Sequence, residues 1–155
     1  MNELESALNK QNLKLRKLNE ALIIKKEVPL QVTQKGIVAS LSTVDYTGLV
    51  KGGKFIAFEA KETQSKTSIP LNNIKQHQLN YLELVKDLGG IAFFVIHFKK
   101  LHSEVYITPI TLINRYFYES DRKSIPISEF KDEWKTTVEN YLTKGLELYD
   151  NPNFI

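Results

Sequence analysis

The chain has 155 residues, 42% hydrophobic and 25% charged, with a formal net charge of +3. That length suits one domain spanning residues 1–155, and the balance of apolar and charged residues excludes wholesale disorder. Cysteine is absent, which excludes a disulfide framework, a thiolate zinc site and a cysteine nucleophile.

An amphipathic helix is predicted over 3–22, with Leu4, Leu8, Leu15, Leu18 and Leu22 on one stripe. Asn2 is its expected N-cap, and Glu3 and Glu5 suit the positive end of the dipole. Residues 22–34 read as extended and broken by Pro29, followed by a strand over 37–43. Residues 45–48 and 51–54 carry turn chemistry around a strand, 55–61. A polar loop, 62–68, leads to a second helix over 72–88, closed by Gly89-Gly90, with Ile74, Tyr81, Leu82, Val85 and Leu88 as its apolar stripe. The run 91–98 is apolar enough for a strand buried on both faces. Residues 104–108 form another strand and 109–118 a further helix. The acidic tail from 128 reads as one or two marginal helices. The order predicts a mixed α/β domain with a central sheet and flanking helices.

No apolar run approaches the ~18 residues of a membrane span, and the N-terminus lacks a secretory apolar segment, so a cytoplasmic protein without a membrane partner is expected. Charge is unevenly spread. Residues 1–35 carry seven Lys/Arg against four acids, 51–75 five against two, and 119–150 five against eight. The basic stretches suit phosphate backbones, or equally a solvated surface.

The stretch with chemical content lies between Asp45 and Lys61. Strand alternation puts Glu59 and Lys61 on one face, with Ile56, Phe58 and Ala60 on the other. If the preceding strand folds back as a hairpin, Asp45 returns beside Glu59. Two adjacent carboxylates repel, and a hard divalent cation such as Mg²⁺ relieves that repulsion. Lys61 would then orient a water or stabilise developing charge in phosphodiester hydrolysis. A simple ion pair at a strand end is the plain alternative. Gln78 falls on the buried stripe of the second helix, where its amide must bond to backbone, to a metal or its water, or to substrate. Glu5 and Asn12 flank the first helix's stripe within reach of the sheet. Lys66, Thr67 and Ser68 offer phosphate donors in a loop that reads equally as solvated.

The runs 42–48, 58–63 and 66–68, with Pro70-Leu71, His77-Gln78 and Arg122-Lys123-Ser124-Ile125, resemble the RecU Holliday junction resolvases of Gram-positive bacteria and their phages. The resemblance implies a restriction-endonuclease-like fold of the PD-(D/E)xK nucleases. It implies a Mg²⁺-dependent homodimer, with Mn²⁺ able to substitute, that nicks opposed strands of a four-way junction in recombination and repair. By that likeness Thr43, Asp45, Glu59 and Gln78 match the metal positions, Lys61 the transition-state lysine and Glu5 a supporting acid. Lys51, Lys54, Lys66, Thr67 and Ser68 are expected to meet branched DNA. The family's long basic projection before the Thr43–Asp45 motif is reduced here to residues 33–42, which suggests a phage or mobile-element version. A branched-DNA binding module with little cleavage, or a nuclease of flaps or duplex, are the alternatives.

Overall fold

The computed structural model describes residues 2–26, 30–34, 36–39 and 44–154. Helix α1 spans Glu3–Lys17. The Glu5 N–H donates to Asn2 Oδ1 at 2.8 Å, and Lys14, Arg16 and Lys17 fill the last turn, so both ends complement the dipole. The helix stops well short of residue 22. Asn19 turns the chain at φ 56°, a left-handed conformation asparagine tolerates, and strand β1 (Ala21–Lys25) begins. Leu18 and Leu22 therefore leave the helical stripe and stay exposed. Strand pairing has outweighed helical spacing here.

Strands β2 (Leu30–Thr33) and β3 (Gly36–Ala39) pair antiparallel as a separate two-stranded ribbon. The remainder of the strand expected over 37–43, including Thr43, lies outside the described residues. Strands β4 (Tyr46–Val50) and β5 (Phe55–Thr63) form an antiparallel hairpin in which Tyr46 faces Phe58. Gly52 and Gly53 make its tip at φ 98° and 94°, where a side chain would be strained. The turn expected at 45–48 is strand instead. A Cβ on Gly48 would lie 2.0 Å from the Leu22 carbonyl oxygen, so this glycine marks the close approach of β1 rather than a turn.

The chain continues through β6 (Ser68–Pro70), a 3₁₀ turn at Leu71–Asn73, helix α2 (Gln76–Asp87), β7 (Ile91–Phe98), β8 (Val105–Thr108), helix α3 (Ile110–Tyr118), β9 (Ser124–Pro126), β10 (Lys135–Thr136) and helix α4 (Tyr141–Tyr149). The main sheet has the order β1-β4-β5-β7-β8-β10. Its β5–β7 pair is parallel and bridged by α2, and the other pairs are antiparallel. A mixed sheet flanked by helices, with two carboxylates at a β-hairpin beside the parallel pair, is the arrangement of a restriction-endonuclease-like fold. Strands β6 and β9 form a second small ribbon.

Strand β7 is buried along almost its whole length, as its sequence predicts. Helix α2 begins at Gln76 rather than 72, and its inward residues are Gln78, Leu79, Leu82 and Val85. Leu88, expected on the stripe, follows the last helical residue and is 80% exposed. The segment after 128 is the largest departure. It contains one α-helix, an edge strand and 3₁₀ turns, and it buries Phe130, Trp134, Tyr141, Leu142, Leu148 and Phe154. These apolar residues are carried by short, dissimilar elements, so no single period marks them. Tyr141 packs on Phe58 at 5.3 Å, and Phe58 stacks on Tyr46 at 4.7 Å and on Phe93 at 5.3 Å. Acidic though its surface is, this segment completes the core.

Candidate active site

The hairpin register places Asp45, just before β4, opposite Glu59 on β5, because Tyr46 faces Phe58. The Asp45 N–H donates to Glu59 Oε2 at 2.8 Å. Gln78 Nε2 donates to Glu59 Oε1 at 2.9 Å, and Lys61 Nζ lies 3.4 Å from the same oxygen. Strand alternation thus aims Glu59 and Lys61 to one face, where the first turn of α2 meets them. The Glu59 side chain is 1% exposed, and that of Lys61 is 17% exposed. A carboxylate this deep requires several partners.

Burial is the largest cause that pushes the Glu59 carboxyl up to about 8, and the neighbouring Asp45 carboxyl adds to it. Lys61 and the Asp45 N–H pull in the opposite direction but less strongly. Without a cation the hairpin therefore favours a protonated Glu59 over two adjacent negative charges. Burial likewise pushes the Tyr46 hydroxyl far above its ordinary range, followed by the charges of Glu5, Asp45 and Glu59.

Gln78 is held from both ends. The Lys75 N–H, at the start of α2, donates to Gln78 Oε1 at 3.1 Å, while the amide nitrogen reaches Glu59. A donor on one side and a carboxylate on the other fix which way the amide points. Gln78 thus joins the helix N-terminus to the buried acid. This one-sided cap was hidden in the sequence because lysine, which has no acceptor to return the bond, stands at the cap position.

The other predicted site residues spread around this centre. Glu5 lies on α1, against the aromatic side of the hairpin; the Tyr46 hydroxyl points at its carbonyl at 3.4 Å and donates to Asn9 Oδ1 at 2.9 Å. Among the described residues no ion pair joins Glu5 to Asp45, Glu59 or Lys61. Asn12, the other flanking residue, is buried and hydrogen-bonded to the Tyr141 hydroxyl. Sequence reasoning missed the Tyr46–Asn9 contact, which joins residues 37 positions apart and leaves no local signal. Lys51 and Lys54 are exposed at the β4–β5 tip, at the far end of β5 from Lys61. Lys66, Thr67 and Ser68 follow the near end. There Ser65 Oγ accepts from the Thr67 and Ser68 N–H groups at 3.2 Å each, so the loop's hydroxyls partly bond the loop itself.

Among the described residues no three acid or histidine side chains converge as a metal-binding cluster. The donor set is two carboxylates, one of them enclosed. Hard oxygen donors in that number suit a cation of the Mg²⁺ class, which commonly takes one or two carboxylates and completes its shell with water and substrate phosphate.

Fold and site together define a restriction-endonuclease-like domain in which two acids and a lysine meet at Glu59. The chain belongs to the RecU, recombination protein U, family, whose model matches residues 2–149. It is 35% identical over 137 residues to the Holliday junction resolvase RecU of Lactococcus lactis, covering 80% of this chain and 63% of that protein. It is 36% identical over 140 residues to the protein of the same name from Streptococcus mutans, covering 82% and 70%. With that of Oceanobacillus iheyensis it shares 34% over 145 residues, covering 84% and 73%. The chain thus spans between 63% and 73% of these relatives' lengths. No helix among the described residues is long and apolar enough to cross a membrane.

Proposed function

We propose that this protein is a divalent-metal-dependent endodeoxyribonuclease that resolves four-way DNA junctions by paired nicks, in recombination and repair in the cytoplasm. The convergence of Asp45, Lys61 and Gln78 on the buried Glu59 carries the reading, and the relatives named as Holliday junction resolvases support it.

In this reading Asp45 and Glu59 hold the cation, Mg²⁺ or Mn²⁺, with Gln78 at the edge of the site and Thr43, outside the described residues, as a further donor implied by the family likeness. When bound, the metal would neutralise the paired acids and polarise a phosphodiester oxygen. The chain's own groups do the rest. The Asp45 N–H and Gln78 amide fix the orientation of Glu59. The Lys61 ammonium, held beside Glu59, steadies negative charge developing on the phosphate and orients an attacking water. Glu5 is the supporting acid that the family likeness implies; its contact with Tyr46 runs through its backbone carbonyl. Lys51, Lys54, Lys66, Thr67 and Ser68 meet backbone phosphates without reading bases, so recognition follows shape and salt.

The homodimer has its own observation. Leu22, Leu49 and Phe55 lie opposite one another across β1, β4 and β5 and are 45%, 50% and 44% exposed. Phe55 continues into a cavity of about 300 Å³ shared with Leu84 and Leu88. A contiguous apolar row on an open sheet face is unusual for a monomer. A second copy is its proposed occupant, giving the two sites that a near-two-fold junction needs. Leu49→Asp with Leu88→Asp is expected to give monomers by light scattering and to uncouple the two nicks.

The central test uses labelled four-way, flap and linear DNA with Mg²⁺. Cleavage of the junction by the wild type, lost in Asp45→Asn and Lys61→Ala with binding retained, supports the proposal. Binding without cutting by the wild type indicates a junction-binding module. Linear duplex cut as fast as junctions indicates a different substrate.

A further inference from the structure

Beyond Ser68 at its first position, the β6–β9 ribbon has no part in the chemistry above, yet it leads from β5 towards α2, the two elements that carry Glu59 and Gln78. Ser68 faces Pro126, Ile69 faces Ile125, and Pro70 faces Ser124. The Leu71 N–H donates to the Lys123 carbonyl at 2.9 Å, and the Ile127 N–H to the Thr67 carbonyl at 2.8 Å. Ile69 and Ile125 are fully buried. The ribbon therefore pins residues 122–123 to the chain leading into α2, whose Gln78 touches Glu59.

Between the two strands' ends lies a groove of about 400 Å³, lined by Pro70, Leu71, Asn72, Arg122 and Lys123. Its charge pattern is unusual for the described chain from Arg115 onward, where the other cations are paired. Arg115 pairs with Glu129, Lys131 with Glu133, Lys135 with Asp132, and Lys144 with Glu147. Arg122 and Lys123 are exposed and, among the described residues, make no ion pair, although Asp121 adjoins them in sequence. The Arg122 N–H is tied to Ser120 Oγ at 3.0 Å, which fixes the backbone while leaving the guanidinium free. Lys75 leans to the same rim, its Nζ donating to the Asn72 carbonyl at 3.3 Å.

We propose that this groove is a phosphate-backbone subsite, which grips the DNA strand beside the position cleaved at Glu59. The inference rests on the nuclease reading and adds to it the path of the strand. Its chemistry matches a nucleic-acid backbone, which alternates an apolar sugar with a charged phosphate. Pro70 and Leu71 offer the apolar floor, and the Arg122 guanidinium fork and Lys123 ammonium offer the cationic rim. The mount is rigid, so little ordering is required when DNA arrives. Because the contacts are to phosphate, the groove contributes affinity and register but no sequence preference.

The test measures binding of a four-way junction and a linear duplex with Ca²⁺ in place of Mg²⁺, across a salt series. For R122A/K123A the slope of log affinity against log salt is expected to become shallower by about 1 to 2, with affinity reduced roughly 10- to 100-fold near physiological salt. R122K keeps the charge and loses less than R122A. K131A, on a lysine already paired with Glu133, leaves both quantities unchanged. Phosphate-ethylation interference on the wild type should mark phosphates next to the nick, and those marks should vanish in the double variant. Both side chains are exposed, and R122Q/K123Q repeats the measurement should truncation disturb the loop. Wild-type binding with an unaltered slope in both double variants overturns the groove and leaves the nuclease reading standing. A wild type that binds no DNA overturns both.

Discussion

The two faces of strand β5 differ in nearly everything except position. On one side Phe58 lies among Tyr46, Phe93 and Tyr141, a stack of aromatic rings sealed by α4. On the other, one residue along, Glu59 sits 1% exposed among Asp45, Lys61 and Gln78. The first face gains stability from buried apolar area. The second gives stability up, since it encloses an acid beside another acid. The strand can carry the strained face because its reverse is so well packed.

That contrast predicts which substitutions separate activity from stability. Glu59→Gln and Asp45→Asn should each lower cleavage by about 10³-fold or more, the scale of lost transition-state stabilisation. Both should melt no lower than the wild type in metal-free buffer at pH 8 and above, where Glu59 ionises beside Asp45 and each variant removes part of the repulsion. A marked fall in melting temperature for both would break the comparison. Phe58→Ala should do the reverse, costing roughly 3–5 kcal/mol of stability by denaturant titration, with metal uptake intact in the fraction that stays folded. Lys61→Ala should reduce turnover by about 10²-fold with junction affinity nearly unchanged; equal losses in both would assign Lys61 to binding instead.

The smallest effect is the pH dependence. Glu59 holds its proton up to about 8 when folded, against an ordinary value of 4.5. Its neutral form is the one the fold favours, so its contribution is complete below about 4.5 and is lost as pH rises towards 8. Metal-free protein should therefore lose a few degrees of melting temperature between pH 5 and 8. Mg²⁺ should restore them at the alkaline end, and Glu59→Gln should flatten the curve. A wild-type profile as flat as that of the variant would show that the acids are not confined as described.

The site was legible in the sequence because strand periodicity is short and strict. Once 55–61 was a strand, Glu59 and Lys61 had to share a face, and the hairpin had to return Asp45. Gln78 was found as a polar residue on a buried stripe, although the Lys75 cap that orients it was not. The sheet's β7 was equally plain from its unbroken apolar run. The errors lie where a local pattern met a tertiary demand. Leu22 fits a helix but pairs with Leu49 in the sheet, and Gly48 suggests a turn but admits β1. The C-terminal segment was obscured for a different reason: Trp134, Tyr141 and Phe154 each reach the core from a separate short element, so no window of sequence contains the pattern.

The Asn12–Tyr141 hydrogen bond joins residues 129 positions apart. Nearly the entire polypeptide must be brought round before the first helix and the last can meet. Closure of so large a loop is entropically slow to reward, and chains dominated by distant pairings refold in milliseconds to seconds rather than microseconds. Burst kinetics of tyrosine fluorescence should accordingly end before a slower phase, in which the ring of Tyr141 locks into place.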